Sequence, residues 1–118
     1  MTCLGVGIDI VLNRRLDSDP LKKRLFSNRE HEIGSKRRGN LQYYGGRFAA
    51  KEAFLKAAGV GLGAIPFKAI EILDDDNGKP YLASNEIIEE FKNQKGITVV
   101  NISISHEKEY SVAVVILY

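Results

Sequence analysis

Gly46-Arg47-Phe48-Ala49-Ala50-Lys51-Glu52-Ala53-Phe54-Leu55-Lys56-Ala57-Ala58-Gly59 is the stretch around which the rest of the chain arranges itself. Residues 47–58 contain no Gly or Pro, and Ala, Leu, Lys, Glu and Arg are strong helix formers. Gly45-Gly46 precedes the run and Gly59 stands where a C′ residue closes a helix. On a helical wheel the apolar residues spread around almost the whole circumference, the mark of a buried helix. Yet the same helix carries Arg47, Lys51, Glu52 and Lys56. Glu52 and Lys56 share one face, and charges on a buried helix are costly unless paired, metal-bound or lining a cleft. The pattern alone fits a surface Glu–Lys pair equally well.

The other segments place this helix in an α+β chain. Residues 3–12 alternate as a strand, with Leu4, Val6, Ile8 and Ile10 on one face and Gly5, Gly7 and Asp9 on the other. Two glycines leave room beside Asp9, an acid inside an otherwise apolar strand. Asn13 is a plausible cap for a helix beginning at Arg14. Asp19-Pro20 interrupts it and opens a short helix over 20–26, with Asp19 as cap. Ser27-Asn28-Arg29-Glu30 has capping-box spacing and predicts a helix through about Gly34. Residues 34–40 read as a loop, and the central helix starts as early as 41. Gly59–Gly63 reads as a flexible exit from it. Phe67–Leu73 is expected as a strand, residues 74–78 as a hairpin turn on Asn77-Gly78, and 79–82 as its partner. Asn85 caps a helix over 86–94 that ends at Gly96. Residues 97–106 and 110–118 form the closing antiparallel pair across a turn at 107–109. Strand, helices, hairpin, helix, hairpin describes an antiparallel sheet packed on a long central helix, in one domain over 1–118.

Composition narrows the function classes. The 118 residues are 44% hydrophobic and 27% charged, with a net charge of +2. A single cysteine, Cys3, excludes an intrachain disulfide and a cysteine metal cluster. No apolar run is long enough for a membrane span and no signal-peptide pattern opens the chain, so a cytoplasmic protein without a membrane partner is expected. Positive charge is uneven: Lys22, Lys23, Arg24, Arg29, Lys36, Arg37 and Arg38 crowd one third of the chain. The three aspartates at 74–76 lack the glutamate spacing of a calcium loop. No nucleophile-elbow motif supports a Ser–His–acid hydrolase around Ser105-His106. Asp9 and Glu52, with only two histidines in the chain, suit a hard cation such as Mg²⁺, which takes one or two carboxylates and completes its shell with water and phosphate. Arg47, Lys51 and Lys56 would then neutralise phosphate oxygens.

Gly7-Ile8-Asp9-Ile10-Val11 followed by Arg15, Arg47 to Ala57, Asn77-Gly78-Lys79-Pro80-Tyr81 and Ile102 to Tyr110 together resemble the holo-acyl-carrier-protein synthase family, the small bacterial 4′-phosphopantetheinyl transferases. The resemblance runs in order from the first strand to the C-terminus. It implies the fold of that family and transfer of the phosphopantetheine arm of coenzyme A to a serine of apo-acyl carrier protein, with release of adenosine 3′,5′-bisphosphate. It further implies Mg²⁺ dependence and a homotrimer with active sites between subunits. By position, Asp9 and Glu52 match the metal ligands and Lys56 the lysine beside the transferred phosphate. Arg47, Lys51 and His106 match positions near coenzyme A phosphates, Lys56 and Ser105 belong to the same coenzyme A-binding set, and Gly78-Lys79-Pro80 matches a segment near the adenosine that the neighbouring subunit contributes. Arg15, Lys22 and Arg24 match the surface that receives the acidic carrier protein, where positive charge steers association. The general base stays open, between a water on the metal and a carboxylate acting through water. Residues 16–26 and 33–43 are shorter than the family's usual pattern, which bears on carrier docking more than on the catalytic set. Two other classes compete: a basic module gripping RNA through 22–38, where stacking aromatics are expected, and an enzyme acting on another Mg²⁺–nucleotide substrate.

Overall fold

The structure, a computed structural model, describes residues 1–38 and 40–118; Gly39, inside the expected 34–40 loop, lies outside the described residues. In chain order it runs β1 (Gly5–Leu12), a 3-10 turn (Asn13–Leu16), α1 (Asp19–Leu25), α2 (Asn28–Gly34) and α3 (Asn40–Ala57). A 3-10 turn (Phe67–Ala69), β2 (Ile72–Asp74), β3 (Pro80–Leu82), α4 (Glu86–Lys95), β4 (Val100–His106) and β5 (Tyr110–Leu117) follow. An antiparallel sheet ordered β1-β5-β4 carries α3 on its inner face, and β2–β3 form a separate hairpin.

The face of β1 that carries little side-chain bulk is the one that packs on α3. A Cβ on Gly5 would run into the Ala57 carbonyl, and one on Gly7 into the Ala53 carbonyl. The two glycines therefore let backbone meet backbone, with Ala49, Ala50, Ala53 and Phe54 fully buried beneath the sheet. The register puts Asp9 opposite Ala113, and Ala113 opposite Ile104, so Asp9 faces the helix from the edge strand of the sheet. Val6, Ile8 and Ile10 point the other way and are 62%, 59% and 63% exposed.

Local signals set most boundaries. The capping box at Ser27 is complete, with Glu30 N–H donating to Ser27 Oγ and Ser27 N–H to Glu30 Oε1. Asn85 caps α4, and Gly96 closes it in the left-handed conformation. Three expectations are corrected. Ser18, not Asp19, caps α1, by accepting from Leu21 N–H. Asn13 caps nothing: its buried amide donates to the carbonyls of Glu107 and Lys108 and accepts from Ser111 Oγ, tying the β4–β5 turn to the end of β1. Residues 67–71 are not strand; Lys51 draws the carbonyls of Phe67 and Ile70 inward at 2.8 and 2.6 Å, which leaves only Ile72–Asp74 paired with β3.

Candidate active site

Asp9 on β1 and Glu52 and Lys56 on α3 meet at one edge of the helix–sheet interface, because the glycines bring the two backbones together. Lys56 Nζ donates to Asp9 Oδ1 at 2.9 Å and to the Ile8 carbonyl at 3.1 Å. The lysine is 56% exposed by side chain and Asp9 only 9%, so the ammonium covers the acid from the solvent side. Its hydrogen bond to Asp9 raises the Lys56 pKa and keeps it protonated. Glu52 lies beside Asp9. Burial first, and the Asp9 carboxylate second, push its carboxyl up to about 7, against the opposing pull of Lys56 and Arg15. Arg15 thus belongs to the field of this site.

A Glu52 carboxyl whose ionisation is opposed by burial and by the neighbouring Asp9 leaves a place for a cation. Among the described residues, Asp9 Oδ2 is buried without a hydrogen-bond partner. A buried carboxylate oxygen left orphaned beside a second carboxylate fits a divalent ion. No group of three or more metal-ligating side chains occurs among the described residues. Two carboxylates fit Mg²⁺, which dehydrates reluctantly and keeps positions for water and phosphate.

A second feature lies across the sheet. A cleft of 420 Å³ is lined by Arg37, Arg47, Asp74, Gly78, Pro80 and His106, among others. His106 ends β4, Gly78 sits at the hairpin turn with φ +80°, and Arg47 comes from the first half of α3. Since β4 and β1 flank β5 on opposite sides, Asp9 and His106 belong to opposite edges of one sheet. Lys79 is exposed beside the cleft, its N–H held by Asp75 Oδ1.

Three expected site residues stand elsewhere. Lys51 is fully buried; its ammonium is satisfied by Glu30 Oε1 at 2.8 Å and the carbonyls of Phe67 and Ile70, so it has no donor left for a phosphate. Burial lowers its pKa, and Glu30 opposes that. The lysine is structural. Ser105 follows strand alternation onto the outer face, in the row of Val112 and Ile10, away from both Asp9 and the cleft of the same chain. Lys22 lies over the Tyr44 ring with its side chain 14% exposed and an ion pair to Asp19, which leaves Lys23 and Arg24 as the open cations of α1 among the described residues. In the basic stretch Arg29 pairs with Glu71, Lys36 with Glu32 and Arg37 with Asp74, while Lys23, Arg24 and Arg38 are exposed. Tyr43 and Tyr44 are buried, so neither offers a stacking platform. Sequence reasoning missed Arg37 and Asp74 in the cleft and Glu30 as the partner of Lys51. The only signal for Glu30 was its capping-box position, and nothing local marks the other two.

Residues 5–115 match a family described as ACPS, 4′-phosphopantetheinyl transferase superfamily. The chain belongs to this superfamily. It is a transferase of the holo-acyl-carrier-protein synthase family, as its relatives agree. A holo-[acyl-carrier-protein] synthase of Syntrophus aciditrophicus is 42% identical over 120 residues, covering 96% of this chain and 94% of that one. One of Anoxybacillus flavithermus is 40% identical over 124 residues, covering 97% and 94%. Among solved structures, holo-[acyl-carrier-protein] synthase from Neisseria meningitidis superposes with a TM-score of 0.91 at 31% identity, covering 99% of both chains. The Bacillus anthracis enzyme in complex with CoA (3′,5′-ADP) gives 0.82 at 35% identity, covering 99% of this chain and 97% of that one.

Proposed function

We propose that this transferase moves 4′-phosphopantetheine from coenzyme A to a serine of apo-acyl carrier protein in the cytoplasm, with Mg²⁺, releasing adenosine 3′,5′-bisphosphate. The observation that carries the reading is the orphaned Asp9 Oδ2 beside Glu52, covered by Lys56. Asp9 and Glu52 would hold Mg²⁺, which when bound neutralises the diphosphate and polarises the scissile phosphorus–oxygen bond. Lys56, exposed at the mouth of the site, places its ammonium against the negative charge that grows on the leaving oxygen. Arg47 and His106 face the cleft in which the nucleotide end of coenzyme A fits, with Gly78, Lys79 and Pro80 at its rim. Arg15 and Arg24 meet the acidic carrier protein.

The working unit in this reading is a homotrimer with active sites between subunits. Val6, Ile8 and Ile10, joined by Val112, Val114 and Ile116 of β5, form an apolar sheet face of a kind monomers seldom leave bare. Asp9 and His106 stand on strands at opposite edges of the sheet, as expected if one subunit's acids work with a neighbour's cleft.

The direct test incubates the protein with coenzyme A, Mg²⁺ and an apo-carrier protein and follows the carrier's mass. A gain of one phosphopantetheine arm, absent without Mg²⁺, is expected. A carrier left unmodified at all metal and coenzyme A concentrations would sink the proposal and favour a different Mg²⁺–nucleotide substrate.

A further inference from the structure

The cleft that faces Arg37 and Arg47 already contains an anion. Asp74, the last residue of β2, bridges the two arginines: Arg47 Nη2 donates to Oδ1 at 2.5 Å and Arg37 Nη2 to Oδ2 at 2.8 Å. Both guanidinium groups lie over the Tyr43 ring, at 4.6 and 5.2 Å from its centroid. Asp75 and Asp76 line the same cleft. Asp75 is committed to the hairpin turn, its Oδ1 accepting from the N–H groups of Asn77 and Lys79. Asp74 is the carboxylate that competes for the arginines. Among the described residues, Arg47 Nε is buried without a partner, so the cluster still lacks an acceptor with Asp74 in place.

We propose that Asp74 is a resident counter-anion of the coenzyme A cleft, one that an incoming phosphate must displace or share, so that it sets co-substrate affinity in this chain. The inference rests on the functional reading above. A phosphate and a carboxylate seek the same planar arrangement of guanidinium donors. A phosphate arriving between Arg37 and Arg47 either breaks two charge-assisted hydrogen bonds to Asp74 or binds beside its negative charge. In both cases Asp74 weakens the bound state, while in the free protein it keeps two cations paired and the cleft closed to stray anions.

The test measures binding of coenzyme A and of adenosine 3′,5′-bisphosphate to the full chain and to Asp74→Asn by calorimetry, with adenosine as the uncharged control. The expected result is binding of both phosphorylated ligands tightened about three- to tenfold in the variant, on the scale of a partly exposed ion pair. Adenosine is unchanged and Asp74→Glu restores wild-type affinity. Asp74→Ser serves the same purpose should the asparagine disturb the hairpin. If the wild type binds coenzyme A and the variants bind it equally or more weakly, Asp74 only orients the arginines and the proposal is overturned. If the wild type binds no coenzyme A, the functional reading fails and this inference with it.

Discussion

Gly7 is the position at which fold and chemistry are most tightly joined, and replacing it with alanine tests both. A Cβ there meets the Ala53 carbonyl and the Ala57 amide nitrogen, which are backbone atoms of α3 and have no rotamer through which to escape. Overpacking of this kind costs about 1–3 kcal/mol, and rigid neighbours put it at the upper end. The left-handed region plays no part, since Gly7 is not among the glycines with positive φ. Alanine also narrows the unfolded ensemble, which returns about 0.4–1 kcal/mol. The net loss of roughly 2 kcal/mol corresponds to a fall in Tm of about 8 °C for a domain of this size. Activity should suffer more than stability. Asp9 is two residues from Gly7, and a displacement of about 1 Å at a reacting centre costs on the order of a hundredfold in rate. Thermal unfolding and carrier-modification rates measure the two effects. Gly61, where a Cβ would meet nothing within 4 Å, is the control and should tolerate alanine. A Gly7→Ala protein with wild-type Tm and rate would refute the close backbone approach from which the site is built.

Other perturbations probe other groups. Lys51→Met leaves Glu30 buried and unpaired, so a loss of about 3–5 kcal/mol in chemical denaturation is expected; in whatever fraction folds, the KM for coenzyme A stays unchanged, and a selective rise in that KM would return Lys51 to the phosphate site. Lys56→Ala should lower kcat more than it weakens coenzyme A binding, and equal losses in steady-state kinetics would argue against a transition-state role. Glu52 makes stability depend on pH. Its carboxyl titrates at about 7 in the folded chain against an ordinary value of 4.5, so the folded state holds the extra proton between those values. Its stabilising contribution is present at acid pH and is lost as pH rises through about 7. In metal-free protein, the Tm of Glu52→Gln relative to wild type should therefore climb between about pH 5 and 8. A constant difference across that range would show that neither burial nor Asp9 raises the Glu52 carboxyl.

The elements that sequence made legible are those whose determinants are local. The capping box at Ser27-Glu30, the Asn77-Gly78 turn, the Asn85 cap and the alternation of β1 all stand as the pattern predicts. The misplaced residues owe their positions to partners far along the chain. Asn13 has the composition of a cap but satisfies carbonyls more than ninety residues away. Lys51 and Lys56 are the same residue type five positions apart on one helix, about 140° apart around its axis. Carbonyls at Phe67 and Ile70 cover the first, and the open edge of β1 receives the second. Ser105 and His106 are adjacent in sequence and therefore face opposite sides of the sheet. The Arg37–Asp74–Arg47 cluster draws on three segments, and nothing local to any of them names its partners in the other two.

The measurement closest to the heart of the account is divalent-ion binding to the two acids, followed with Mn²⁺ by electron paramagnetic resonance in the presence of coenzyme A. Wild-type protein should take up one ion per site, and Asp9→Asn and Glu52→Gln should each lose it while remaining folded. Undiminished Mn²⁺ binding by both variants would contradict the shared-cation site from which the proposed chemistry follows.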